Sequence, residues 1–118
     1  MKERQLRWTL RLTASAESDF RAIVIWTAEH FGARQARVYA KTISNALAAL
    51  SNGPKILGVV SRDEIMPGLF SLHVARQRRK GRHFIMFRIG GEADQNILEV
   101  ARILHDAMDF SQHLGSLA

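Results

Sequence analysis

The chain has 118 residues, enough for one domain with its own core, and 47% of them are apolar, which excludes a disordered chain. It contains no cysteine, so disulfides and thiolate metal sites are excluded. Its net charge of +6 lies entirely in one stretch, Arg76 to Arg88, which carries Arg76, Arg78, Arg79, Lys80, Arg82 and Arg88 and no acid. The N-terminus, MKERQLRWTLRL, has no signal-peptide apolar region or cleavage site. No apolar run approaches the ~20 residues of a membrane helix. These features predict a single cytoplasmic domain over 1–118, without membrane contact.

Residues 7–13, RWTLRLT, alternate, with Trp8, Leu10 and Leu12 on one face, which predicts a half-buried strand. Thr13 or Ser15 can cap the helix that follows, and Glu17 and Asp19 suit the positive end of its dipole. Helix one is predicted over about 16–30, with Phe20, Ile23, Val24, Thr27 and Phe31 at helical spacing and Gly32 as a left-handed stop. Helix two is predicted over about 33–51, where Ala36, Tyr39, Ala40, Ile43, Leu47 and Leu50 form a stripe that Asn52-Gly53-Pro54 ends. The short link makes the pair an antiparallel hairpin. Residues 55–67 read as a loop crossing the core, with room for a short strand, before the Pro67-Gly68 turn.

Strands are then predicted at Leu69–Ala75, His83–Ile89 and Ile97–His105, with a basic turn at 76–82, a Gly90-Gly91 loop and a short closing helix at about 106–114. Short loops between sequential strands make an antiparallel meander. The fold class is therefore α+β: an N-terminal strand, a helical hairpin covering one sheet face, a three-stranded antiparallel meander and a short C-terminal helix.

Candidate site residues follow from charge and placement. The basic turn reads either as a solvated loop or as a site for an acidic partner. Six neighbouring cations repel one another, which favours the partner, whether phosphate or carboxylate. Arg88 alternates with Phe84 and Met86, and Arg102 with Val100 and Leu104, so each shares an apolar sheet face. They read as partly covered cations with packed stems, or as forks for carboxylate or phosphate at a groove. Trp26 falls beside Ile25, off the helix-one stripe; the pair reads either as part of a wide buried face or as an exposed contact patch. The histidines lack metal-ligand spacing, so no metal or other cofactor is expected. His83 and His105, with Arg82, Arg88 and Arg102, are the residues a metal-independent nuclease on this chain would use.

Leu12-Thr13 with Ala16-Glu17-Ser18-Asp19-Phe20, Phe31-Gly32 with Gln35-Ala36 and Tyr39, Pro67-Gly68-Leu69, the run Gly81 to Arg88, and Arg102-Ile103-Leu104-His105-Asp106 with Met108-Asp109 together resemble the ParE toxins of the RelE/ParE superfamily. The likeness spans roughly residues 10–114. It departs at Phe70, where many relatives carry Arg, and in the strongly basic turn. The resemblance implies the toxin of a type II toxin–antitoxin module for plasmid stabilisation. Such a toxin inhibits DNA gyrase by binding rather than by catalysis. It is neutralised by a cognate ParD-like antitoxin with an acidic C-terminal segment, in a hetero-oligomer that sits on operator DNA. The partner-facing residues on this reading are Trp26, Arg76, Arg78, Arg79, Lys80, Arg82, Arg88 and Arg102. The alternatives are a RelE-like mRNA endoribonuclease and a non-toxic basic nucleic-acid-binding module.

Overall fold

The alternation at the start of the chain produces strand β1 (Thr9–Leu12), with Leu10 and Leu12 half-buried and Thr9 and Arg11 exposed. The computed structural model describes residues 7–91 and 95–108. Thr13 ends β1 in extended backbone, and its hydroxyl accepts the Ala16 N–H at 3.0 Å, which starts helix α1 (Ala14–Phe31). A single residue, Gly32, then joins α1 to α2 (Ala33–Ala49). Its N–H donates to the Ala28 carbonyl at 2.9 Å, and its own carbonyl accepts from Ala36 at 3.1 Å. Both bonds require φ 92° and ψ 164°, a mirror-extended conformation rather than the expected left-handed helical one, and essentially only glycine adopts it. Leu50–Asn52 close α2 as a 3₁₀ turn.

Strands β2 (Val59–Ser61), β3 (Leu69–His73), β4 (His83–Gly90) and β5 (Ile97–His105) complete a five-stranded sheet in the order β1-β5-β4-β3-β2. The expected meander is its centre, and the α+β class holds. Two strands extend it. β1 pairs parallel with β5, a neighbour that only the long crossover through the helical hairpin can reach. β2 pairs antiparallel with β3 at the far edge, so residues 55–67 run along the rim instead of crossing the core. In that loop Leu57 is exposed, while Ile56 and Val59 pack against the main core. The turn Asp106–Met108 follows β5, and the rest of the predicted C-terminal helix lies outside the described residues.

The main core lies between the hairpin and one sheet face: Ala16, Ile43, Ala46 and Leu50 meet Leu72, Val74, Ile85, Phe87, Leu98, Val100 and Ile103. Leu69, Met86 and Leu104 form a smaller cluster on the opposite face, capped by Ile65 and Met66. Phe31, expected on the buried stripe, is exposed instead. It is the last helical residue, at the hairpin tip, where its ring meets Trp26 edge-on.

A bulge breaks the alternation of β5. Met86 pairs with Arg102 but Phe87 pairs with Val100, so Ala101 is an extra residue. Leu98 and Val100 face the helices, yet Ile103 takes the next inward place and Leu104 turns to the opposite face. The expected grouping of Arg102 with both Val100 and Leu104 fails for this reason.

The bulge lies where β1 ends and leaves the edge of β5 open. Thr13 donates its N–H to the Val100 carbonyl at 3.0 Å and its hydroxyl to the Ala101 carbonyl at 2.8 Å. Asp19 on α1 accepts the Ile103 N–H at 2.9 Å and the Arg102 guanidinium at 2.8 and 3.0 Å. Because the helix begins at Ala14, Asp19 lies beyond the first turn, where only Glu17 complements the dipole; Asp19 instead seals a strand edge.

Candidate functional site

A groove of about 1240 Å³ runs between the outer side of the hairpin and the basic turn. Ile23, Trp26, Phe31 and Val38 form its apolar wall, and Arg78, Lys80 and Arg82 its basic wall, with Tyr39, His83 and His105 between them. The apolar wall is accessible: Trp26 is 53% and Phe31 64% exposed. Trp26 is held in place by stacking on His30, ring centroids 4.0 Å apart, while His30 Nδ1 bonds back to the Trp26 carbonyl at 2.8 Å. The exposed-patch reading of Ile25 and Trp26 is the one the structure adopts.

Tyr39 organises the centre. Its hydroxyl accepts the Arg82 backbone N–H at 2.9 Å and shares a hydrogen bond with His83 Nδ1 at 2.7 Å. Gly81 makes this approach possible, since a Cβ there would lie 2.5 Å from the Val74 side chain and 3.1 Å from the Tyr39 oxygen. Burial raises the Tyr39 pKa above its usual 10.0, so the phenol stays protonated. Burial, followed by the adjacent His105, lowers His83 to about 4, so its ring is neutral at pH 7. The His83 and His105 rings lie 5.2 Å apart, edge to face.

Asp106 closes the far end. Arg82 Nε bonds it at 3.1 Å and His73 Nε2 at 3.2 Å, and the Arg82 guanidinium, then His73, hold its carboxyl down to about 2. The cluster thus ties the ends of β3, β4 and β5 together.

The cations of the basic stretch have separate fates. Arg78 and Lys80 are exposed on the groove, and among the described residues no side-chain hydrogen bond or ion pair engages either. Arg76 is half-buried and does not line the groove. Arg79 turns onto α2, where Nε donates to the Thr42 hydroxyl at 2.8 Å and a terminal nitrogen to the Val38 carbonyl at 3.1 Å. Arg88 is held by its cross-strand partner Glu99 at 2.8 Å.

Of the residues a nuclease would need, the structure brings His83 and His105 together beside Arg82, while Arg88 is held by Glu99. Arg102 is forked onto Asp19. The sequence reading missed the central parts played by Tyr39, Asp106 and Thr42. The available signals were weak: a phenol on an otherwise apolar stripe, and an acid directly after the last strand.

The arrangement suits binding. Its apolar wall can cover a partner's side chains, and its basic wall can attract carboxylate or phosphate. A His83 ring that stays neutral down to about pH 4 is poorly matched to donating a proton at pH 7. Among the described residues no group of three or more His, Cys, Asp or Glu is arranged to hold a metal ion. No helix among them is long and apolar enough to cross a membrane.

Comparison with known proteins agrees with this architecture. The toxin ParE1 of Caulobacter vibrioides is 26% identical over 105 residues, covering 89% of this chain and 96% of the relative. Among solved structures, the chromosomal ParDE system of P. aeruginosa aligns with a TM-score of 0.62 at 20% identity, covering 84% of this chain and 96% of that one. The toxin–antitoxin complex RelBE2 of Mycobacterium tuberculosis aligns with a TM-score of 0.57 at 22% identity, covering 91% and 100%. At such identities the structural likeness establishes the fold. The family model for the ParE toxin of the type II toxin–antitoxin system parDE matches residues 10–110, and the chain therefore belongs to the ParE toxin family.

Proposed function

We propose that the chain acts as a ParE-like toxin that blocks replication by binding DNA gyrase, without catalysis of its own. A cognate ParD-like antitoxin, through an apolar and acidic C-terminal segment, neutralises it. The observation that carries this reading is the pairing of a family match over residues 10–110 with a groove that has one apolar and one basic wall. An antitoxin segment in this groove covers Trp26 and Phe31 and sets carboxylates against Arg78 and Lys80. The engagement of Arg88 by Glu99 and of Arg102 by Asp19, and the low pKa of His83, support a binding function over nuclease chemistry.

The test is inducible expression in a bacterial host, with and without a candidate antitoxin, scoring growth, plasmid topology and RNA integrity together. Growth arrest with linearised plasmid and intact RNA, relieved by the antitoxin, is the expected result. Arrest with cleaved transcripts would instead favour an endoribonuclease. The observation behind that second reading is the His83–His105 pair beside Tyr39 and Arg82. Normal growth would mean an inactive toxin or a non-toxic binding module.

A further inference from the structure

The basic turn is held in an unusual conformation. The Arg79 N–H donates to the Arg76 carbonyl at 2.9 Å, which closes a four-residue turn. Both central residues have positive φ, 53° at Gln77 and 68° at Arg78. Turns of that hand normally use Asn or Gly, because a longer side chain is strained there. Such strain persists only where surrounding contacts impose it.

The contacts that impose it come from α2. The Arg79 guanidinium donates to the Thr42 hydroxyl at 2.8 Å and the Val38 carbonyl at 3.1 Å, and Thr42 itself donates to that carbonyl at 3.1 Å. Thr42 is buried, so the fork has a rigid seat. One turn of helix away, Tyr39 accepts the Arg82 N–H. Lys80 is bracketed by these two anchors, and Arg78 directly precedes the first.

We infer that Arg79 is a positioning residue, clamped by Thr42 so that the strained turn presents Arg78 and Lys80 as a pre-formed cationic edge for an acidic peptide segment entering the groove. This rests on the acidic-partner reading above. The clamp lowers the conformational freedom two long cationic side chains would otherwise lose on binding, and it fixes where the positive field is focused. An acidic peptide is favoured over nucleic acid because the wall opposite these cations is mainly aliphatic and aromatic side chain, suited to apolar residues interleaved with carboxylates.

The test uses the intact protein and a fluorescein-labelled oligoglutamate peptide at low ionic strength, with labelled oligothymidylate in a parallel titration. Thr42→Val keeps every charge and removes the acceptor; Arg79→Lys keeps the charge and removes the fork; Thr42→Ser keeps the hydroxyl. We expect Thr42→Val and Arg79→Lys each to weaken peptide binding by about 3-fold or more with a smaller salt dependence, while Thr42→Ser binds as the wild type does. Thermal melts identify any variant that has lost its fold, and Arg79→Lys, at a half-buried position that keeps the charge, decides the matter if Thr42→Val does not fold. If both variants bind as tightly as wild type, the positioning role is wrong and the acidic-partner reading stands. If wild type does not bind the peptide, both are wrong. Tighter binding to oligothymidylate than to the peptide would overturn the peptide as occupant in favour of nucleic acid.

Discussion

Replacing Asp19 with Ala tests how the fold seals its own open strand edge. The carboxylate takes two guanidinium hydrogen bonds from Arg102 and the Ile103 backbone N–H, and the two side chains are only 16% and 22% exposed. Removing one partner of a fully buried ion pair costs about 3–5 kcal/mol, and a charged hydrogen bond contributes about 1.5–3 kcal/mol. Partial access of water to both groups lowers the expected loss to about 2–4 kcal/mol. For a chain of this length that is a fall in Tm of very roughly 8–16 °C. Urea unfolding followed by circular dichroism measures the loss directly. Asp19→Asn keeps one oxygen for the Ile103 N–H, so its loss is smaller than that of Asp19→Ala. A double-mutant cycle with Arg102→Ala should give a coupling of at least about 1 kcal/mol. If Asp19→Ala is within about 0.5 kcal/mol of wild type, the edge is held by something else and the structural assignment of Arg102 fails.

Three further predictions concern the site and its supports. His83 has a folded pKa of about 4 against an ordinary 6.5, so the unfolded chain binds the extra proton. Its contribution to stability is complete above pH 6.5 and is lost as pH falls toward 4; urea midpoints at intervals across that window should show the decline, and His83→Gln should flatten it. A decline of equal slope in the variant assigns it to other groups. Gly81→Ala places a methyl 2.5 Å from buried Val74 and 3.1 Å from the Tyr39 oxygen, so a loss of about 1–3 kcal/mol is expected, with displacement of the Tyr39 ring visible in its fluorescence or NMR signal. An unchanged melt would show that the turn can move aside freely. Gly32→Ala meets no atom within 4 Å yet must hold φ 92°, so backbone strain alone should cost about 1–3 kcal/mol in a thermal or urea melt. A neutral result would mean that the hairpin link relaxes without penalty.

Much of the architecture was legible in the chain because periodicity is a local property. The stripe Ala36–Ile43–Leu50 and the alternation of Leu10 and Leu12 each mark a face that must be buried, whatever packs on it, and Gly32 marks the break between the helices. The basic stretch and the off-stripe position of Trp26 were also visible, since neither needs a partner to be seen, but only the structure decided that Trp26 is exposed rather than buried. What the chain could not reveal by itself depends on which strand lies beside which. Parallel pairing of β1 with β5 brings Asp19 to Arg102, 83 residues away, and so assigns to the scaffold a cation that alternation had offered to a partner. The bulge at Ala101 reverses the faces of β5 midway, which period-two reading has no means to anticipate. Likewise, only the approach of the turn to α2 separates Arg79, held by Thr42, from Arg78 and Lys80, which face the groove. Local side-chain order determined the elements and where charge accumulates. The tertiary pairings decided which charges are already neutralised, because an ion pair is defined by distance in space and not by separation along the chain.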